Sequence, residues 1–178
     1  MTTYLRNNAI TQEIELISRR RPESVLYGVW TAILALQFPI TRGYVTRPQD
    51  QHTSQGGQRG FSDLHIFQYA GNATQANKFL MVQCKTAGTE TRTAIWDDAV
   101  DQLSRYLSSS HGTRRRADRT PVYGIAAIGR CIRVYKYDDV NRQVLDWAPR
   151  GMTRGAIWDV KDHARQVQRI LDHILDNH

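Results

Sequence analysis

The chain has 178 residues, 40% hydrophobic and 23% charged, an ordinary balance for one soluble globular domain with a sizeable core. Its formal net charge of +7 is unusual for an enzyme of small acidic or neutral metabolites and suits a polyanionic partner, nucleic acid or an acidic membrane surface. No Cys-x-x-Cys or Cys/His spacing suggests zinc, and Cys84 and Cys131 read as buried free thiols.

In chain order, Ile10, Ile14 and Ile17 predict a short amphipathic helix over Ile10 to Ser18, interrupted by Arg19-Arg20-Arg21. Pro22 fits the first turn of a second helix that runs to about Gln37 and shares that turn with Glu23. A strand around Tyr44-Val45 then leads into a polar, flexible loop ending near Arg59. Phe61 to Tyr69 and Phe79 to Lys85 read as a hairpin across a Gly71-Asn72 turn. Trp96, Val100, Leu103 and Leu107 mark a helix from Thr93 to Ser108, followed by a basic loop to Thr120. Two strands, Val122 to Ile128 and Ile132 to Tyr137, precede a C-terminal helix over about Ile157 to Leu175. Residues 1–178 are expected to form a single domain, with a core of about 22–138. The polar N-terminus lacks the apolar run of a signal peptide, and the longest apolar run, Val25 to Leu36, is too short to span a bilayer. An intracellular protein without a membrane segment is expected.

The chemistry gathers at the end of the strand Phe79-Leu80-Met81-Val82-Gln83-Cys84-Lys85. Side chains alternate along a strand, so Gln83 and Lys85 share one face while Val82 and Cys84 take the other. A lysine and an amide at the edge of a core are costly unless paired or used, and Asp63 on the preceding strand is the candidate to answer them. Farther on, Gln102 and Tyr106 lie one helical turn apart on one face. A hard divalent cation with oxygen ligands would suit Asp63, which offers an anionic oxygen, and Gln83, which offers a neutral one.

Asp63, then Gln83-Cys84-Lys85-Thr86, then Gln102-Leu103-Ser104-Arg105-Tyr106, in this order of elements, resembles the PD-(D/E)xK nuclease superfamily over roughly Pro22 to Ile128. Lys85-Thr86 with Gln102 and Tyr106 is similar to the RecB-type branch; glutamine opening the triplet is similar to the Mrr-type branch. The resemblance implies an α/β fold with a restriction-endonuclease-like core (helix, three-stranded meander, helix, further strands) and added N- and C-terminal helices. It implies a metal-dependent nuclease acting on DNA, using Mg2+ or Mn2+ held by Asp63, Gln83 and the Cys84 backbone carbonyl. Lys85 would hold the attacking water or stabilise negative charge, and Gln102 and Tyr106 would orient Lys85 or a phosphate. Gln83 stands where the family usually has a carboxylate; Glu23, or secondarily Glu13, is the candidate to restore the missing charge.

Around this centre Arg59, Arg114, Arg115, Arg116 and Arg119 are candidate phosphate contacts, with Arg19 to Arg21 a further basic cluster. His65 shares a face with Asp63 and reads as packed, whereas His52, His111, His163, His173 and His178 read as surface. Other readings stay open. Asp63 and Lys85 could form a plain salt bridge with Gln83 satisfied by backbone. The fold could bind nucleic acid or a protein partner without cleaving, or serve as a toxin-like nuclease of a selfish element. A homodimer through the amphipathic C-terminal helix would let a single-site nuclease cut both strands.

Overall fold

The computed structural model describes residues 2–53, 59–69, 76–112 and 114–178, with the side chains of residues 50–53, 59–62 and 118 excepted. Four helices and a seven-stranded mixed sheet make an α/β fold. Helix α1 (Asn8–Leu16) starts where the Asn7 side chain accepts the Ala9 N–H at 3.0 Å, supplying an acceptor to a first turn whose N–H donors lack one. Helix α2 (Ser24–Gln37) follows Pro22 and buries Leu26, Val29, Trp30, Ile33 and Leu34, the three-and-four spacing of a single apolar stripe.

Three antiparallel strands come next, β1 (Tyr44–Thr53), β2 (Arg59–Gln68) and β3 (Asn77–Lys85). Helix α3 (Thr93–His111) then crosses over and returns the chain to β4 (Tyr123–Ile128), which pairs with β3 in parallel from Leu80↔Tyr123 to Lys85↔Ile128. Antiparallel strands β5 (Cys131–Asp138) and β6 (Gln143–Asp146) complete the order β1-β2-β3-β4-β5-β6, and the two-residue β7 (Trp158–Asp159) pairs with β5. Helix α4 (Ala164–Asn177) closes the chain. The helix, meander, helix and parallel strand are the restriction-endonuclease-like arrangement that the sequence implied, with α1 and α4 added.

The sheet separates two apolar layers. Leu64, Ile66, Leu80, Val82, Cys84 and Ile125 pack toward α1, α2 and α4, while Met81, Ala126 and Ile128 pack toward Trp96, Leu103 and Leu107 of α3. The expected alternation along Val82, Gln83, Cys84 and Lys85 is therefore found, with Gln83 on the α3 side of the plate.

Three expectations need correction. The segment after Val45 continues as strand to Thr53, because an edge strand is hydrogen-bonded on one side only and tolerates the polar run Arg47-Pro48-Gln49. The C-terminal helix begins at Ala164, since Trp158 and Asp159 pair with Ile132 and Cys131 and Val160 is buried in the turn that follows. His111 is buried at the end of α3, and His178 stacks on Phe79 at 3.8 Å. The anticipated Gly71-Asn72 turn lies outside the described residues. The apolar stripe of α4 (Val167, Ile170, Leu171, Ile174) is buried within the chain, so it is not a free dimer face. Among the described residues, no helix is long and apolar enough to cross a membrane.

Candidate active site

Strands β2 and β3 pair as far as Leu64↔Val82 and no farther toward the Lys85 end. Beyond that point Asp63 fills the gap with its carboxylate. Its Oδ2 accepts the Cys84 backbone N–H at 2.7 Å and the Gln83 Nε2–H at 2.5 Å. Its Oδ1 accepts from Tyr27 Oη at 2.8 Å, and the same hydroxyl stands 2.9 Å from Glu23 Oε1. Glu23 in turn accepts from Thr86 Oγ1 at 3.0 Å. The start of α2 is thus tied to the middle of β2, at Asp63, and to the end of β3, through Thr86 just past Lys85.

Opposite Asp63 in β1, Gln49 has φ of 50°, uncommon for a residue other than glycine, and the ladder resumes on its two sides at Pro48↔Leu64 and Asp50↔Ser62.

Gln83 is buried, and its orientation follows from electrostatics. With a carboxylate oxygen 2.5 Å away, the amide must present its N–H there, because turning it over would set two acceptors against each other. That fixes Oε1 on the other side, where it is buried with no hydrogen-bond partner among the described residues. An unmet buried acceptor costs about 1–3 kcal/mol. Among the described residues of the cluster, it is the buried polar atom left unsatisfied by protein groups.

Lys85 points to the same face and is held by Asp98 of α3, Nζ to Oδ2 at 2.6 Å. Gln102 Nε2 donates to the same Asp98 oxygen at 2.9 Å. Both bonds favour the ionised acid, and the Lys85 contact above all holds the Asp98 carboxyl below its ordinary range. The direct Asp63–Lys85 salt bridge considered from sequence is not what forms, nor is Gln83 answered by backbone. Gln102 reaches Lys85 through Asp98, and Tyr106, a turn later, packs against the apolar layer under α3.

Burial pushes the Asp63 carboxyl above its ordinary value, opposed by the Cys84 N–H and the Tyr27 hydroxyl and reinforced by the nearby Glu23 charge. Burial, with Asp63 next, drives the Tyr27 phenol far upward, so it stays protonated as a donor. The Cys84 thiol is enclosed and pushed well up by burial, which leaves only its main chain to face the site. In an extended strand the N–H and C=O of one residue lie on the same edge. The Cys84 N–H points to Asp63, so its carbonyl does too; Lys85 O lies on the other edge, accepting from Gly129 N at 3.1 Å.

The donors at this gap are oxygens: the Asp63 carboxylate, the orphaned Gln83 amide oxygen, the Cys84 carbonyl edge and, through Tyr27, Glu23. That set fits a hard cation such as Mg2+ or Mn2+ and does not fit a soft one. Among the described residues no group of three or more His, Cys, Asp or Glu side chains is placed to share a metal, so a cation here would depend on the amide and main-chain oxygens beside Asp63.

Two residues of the cluster escaped sequence reasoning, Tyr27 and Asp98. Each is four residues from a residue already singled out, Glu23 and Gln102, and that helical spacing was the available signal. His65 is buried and packs against Phe67, as expected of a core histidine. Arg59 has no described side chain. Arg114 donates to both oxygens of Asp139, at 2.8 and 3.0 Å, while Arg115, Arg116 and Arg119 are exposed. All four lie in the loop after α3, at the far end of the sheet: His111 beside them bonds Lys78 O at 2.8 Å, and Thr120 meets Asn77. Strand β3 has nine residues, so at about 3.3 Å each roughly 27 Å separates that end from the Lys85 end.

The fold is that of an α/β protein of restriction-endonuclease-like architecture. Among solved structures the chain is similar to one in a cryo-EM structure of a DrdV–DNA complex, with a TM-score of 0.58 and 12% identity. The match covers 95% of this chain and 13% of the other, so this chain corresponds to a small part of that protein. No family model and no curated protein matches the sequence.

Proposed function

We propose that the protein is a divalent-metal-dependent nuclease acting on DNA. The observation that carries this reading is the buried Gln83 Oε1, unpartnered among the described residues, on an amide whose Nε2 donates to the Asp63 carboxylate and which lies two residues from Lys85 on the same face. The basic charge and the likeness of the fold to part of a protein in complex with DNA support nucleic acid as the substrate.

In this reading Asp63, Gln83 and the Cys84 carbonyl hold Mg2+ or Mn2+, with Glu23 brought close by Tyr27. A bound cation would supply charge neutralisation on the scissile phosphate and a more acidic water. Lys85, its ammonium fixed by Asp98, donates to the water or to the oxygen on which negative charge develops. Gln102 keeps Asp98 in place.

Plasmid or linear DNA incubated with the protein and Mg2+ is expected to be cut, with activity lost in EDTA and in Lys85→Ala and Asp63→Ala. DNA left intact under all conditions, or variants that cut like wild type, would sink the proposal. A second reading has its own observation: the Gln83 amide satisfies Asp63 without any cation. A non-cleaving binding domain would retain DNA in EDTA and show no nicking.

A further inference from the structure

We propose that the loop between α1 and α2, with Arg19, Arg20 and Arg21, is the surface on which the phosphate backbone of bound DNA rests. This deepens the nuclease reading and rests on it.

The loop is seated against the site. Thr86 and Gly88 belong to the turn that follows Lys85, and Gly88 has φ of 85°, a left-handed conformation suited to glycine. A Cβ at Gly88 would overlap Cγ of Arg19, so the Arg19 stem lies directly over this turn. Arg21, Pro22 and Glu23 line a narrow crevice with Ala87. Glu23 then clasps Thr86 at 3.0 Å. The arginine loop therefore borders the turn that leaves Lys85.

Its charges are available. All three arginines are exposed, and among the described residues none makes an ion pair. The nearest acid in sequence, Glu23, is already engaged by Tyr27 and Thr86. The cluster after α3 differs on both counts, since Arg114 is neutralised by Asp139 and the loop sits at the opposite end of β3. Guanidinium groups are charged at all working pH values and match phosphate oxygens through paired N–H donors. A strand that offers a phosphate to Lys85 would lay its neighbouring phosphates along Arg20 and Arg21.

The test uses fluorescence anisotropy with a short labelled DNA duplex in Ca2+ or EDTA, titrated at several salt concentrations. Arg20→Gln/Arg21→Gln spares the packed Arg19 stem and is expected to raise Kd about tenfold and flatten the log Kd against log salt slope by about 2, as for two lost phosphate contacts. Arg115→Gln/Arg116→Gln is expected to change Kd less than twofold. Equal effects of the two double variants, or none from the first while wild type binds and cuts DNA, would overturn the inference and leave the nuclease reading intact. Wild type that neither binds nor cuts DNA would overturn both. Thermal melts of both variants within a degree or two of wild type confirm that charge, not folding, is being read.

Discussion

The Tyr27 hydroxyl stands 2.8 Å from Asp63 and 2.9 Å from Glu23, so a single phenolic proton serves two carboxylates from different elements. One hydroxyl hydrogen cannot donate fully to both, and the two acids are held close by the contest. Tyr27→Phe keeps the ring and removes the hydroxyl. Stability by urea denaturation should fall by about 1–3 kcal/mol, the worth of bonds to charged acceptors, and Mn2+ affinity by calorimetry should weaken several-fold. A variant with wild-type stability and wild-type metal affinity would show that Tyr27 does not organise the pair.

Gln83→Glu tests the neutral ligand directly. A second carboxylate would sit against Asp63 Oδ2, now 2.5 Å from the amide, with no donor between the two charges. Without metal, the variant should lose roughly 1–3 kcal/mol, and Mg2+ should restore most of it. Melts recorded with EDTA and with 10 mM-scale (order of magnitude) Mg2+ decide the matter; an unchanged melt in both conditions would remove Gln83 from any metal site.

Asp98 is half exposed, so its pair with Lys85 adds little to folding, within about 0.5 kcal/mol. Its value lies in aiming Nζ. Asp98→Ala should melt like wild type and cut DNA up to about tenfold more slowly, whereas Lys85→Ala should lose about a hundredfold or more. Equal losses for the two variants would mean that the carboxylate, not the lysine, is the reacting group.

His111 supplies a pH signature away from the site. Burial holds its imidazole down to about 4, against an ordinary 6.5, with Arg114 and His65 also opposing its charge. Its folded value is depressed, so below 6.5 the unfolded chain binds the extra proton. Stability should therefore be constant from this source above 6.5 and fall as pH drops toward 4, by about 1.4 kcal/mol per pH unit at most. Urea titrations between those limits should show this slope in wild type and a shallower one in His111→Gln. Parallel profiles for the two proteins would place the buried charge elsewhere.

The alternation of Val82, Gln83, Cys84 and Lys85, and the stripe of Trp96, Leu103 and Leu107, were legible because burial on one face imposes a period that survives in any sequence. The continuation of β1 was not, because Arg47-Pro48-Gln49 reports on neither face and the strand exists only through its pairing with β2. The late start of α4 was hidden for a similar reason: Trp158 is committed to Ile132, a partner far away in sequence. At the site, strand-borne Asp63, Gln83 and Lys85 could be read from order and face. Tyr27 offered only its spacing of four from Glu23, a weak signal, since a tyrosine on an apolar helix looks like core until its hydroxyl is seen between two acids. The distance of the Arg114 loop from Lys85 was also invisible, because charge runs carry no information on which end of a sheet they will occupy.

The parallel pairing of β3 with β4 has a consequence for how the chain acquires its site. The meander through Lys85 can form from neighbouring sequence, but β3 gains its second partner only after everything from Thr86 to Val122 has been threaded across the sheet. Closing so long a segment is paid for in chain entropy before any contact rewards it, which makes this pairing a slow step. Until then Phe79 to Lys85 is an apolar strand with an open edge, a template for pairing with other chains. A nascent or truncated chain ending before α3 would therefore be prone to aggregate through the very strand that carries Gln83 and Lys85.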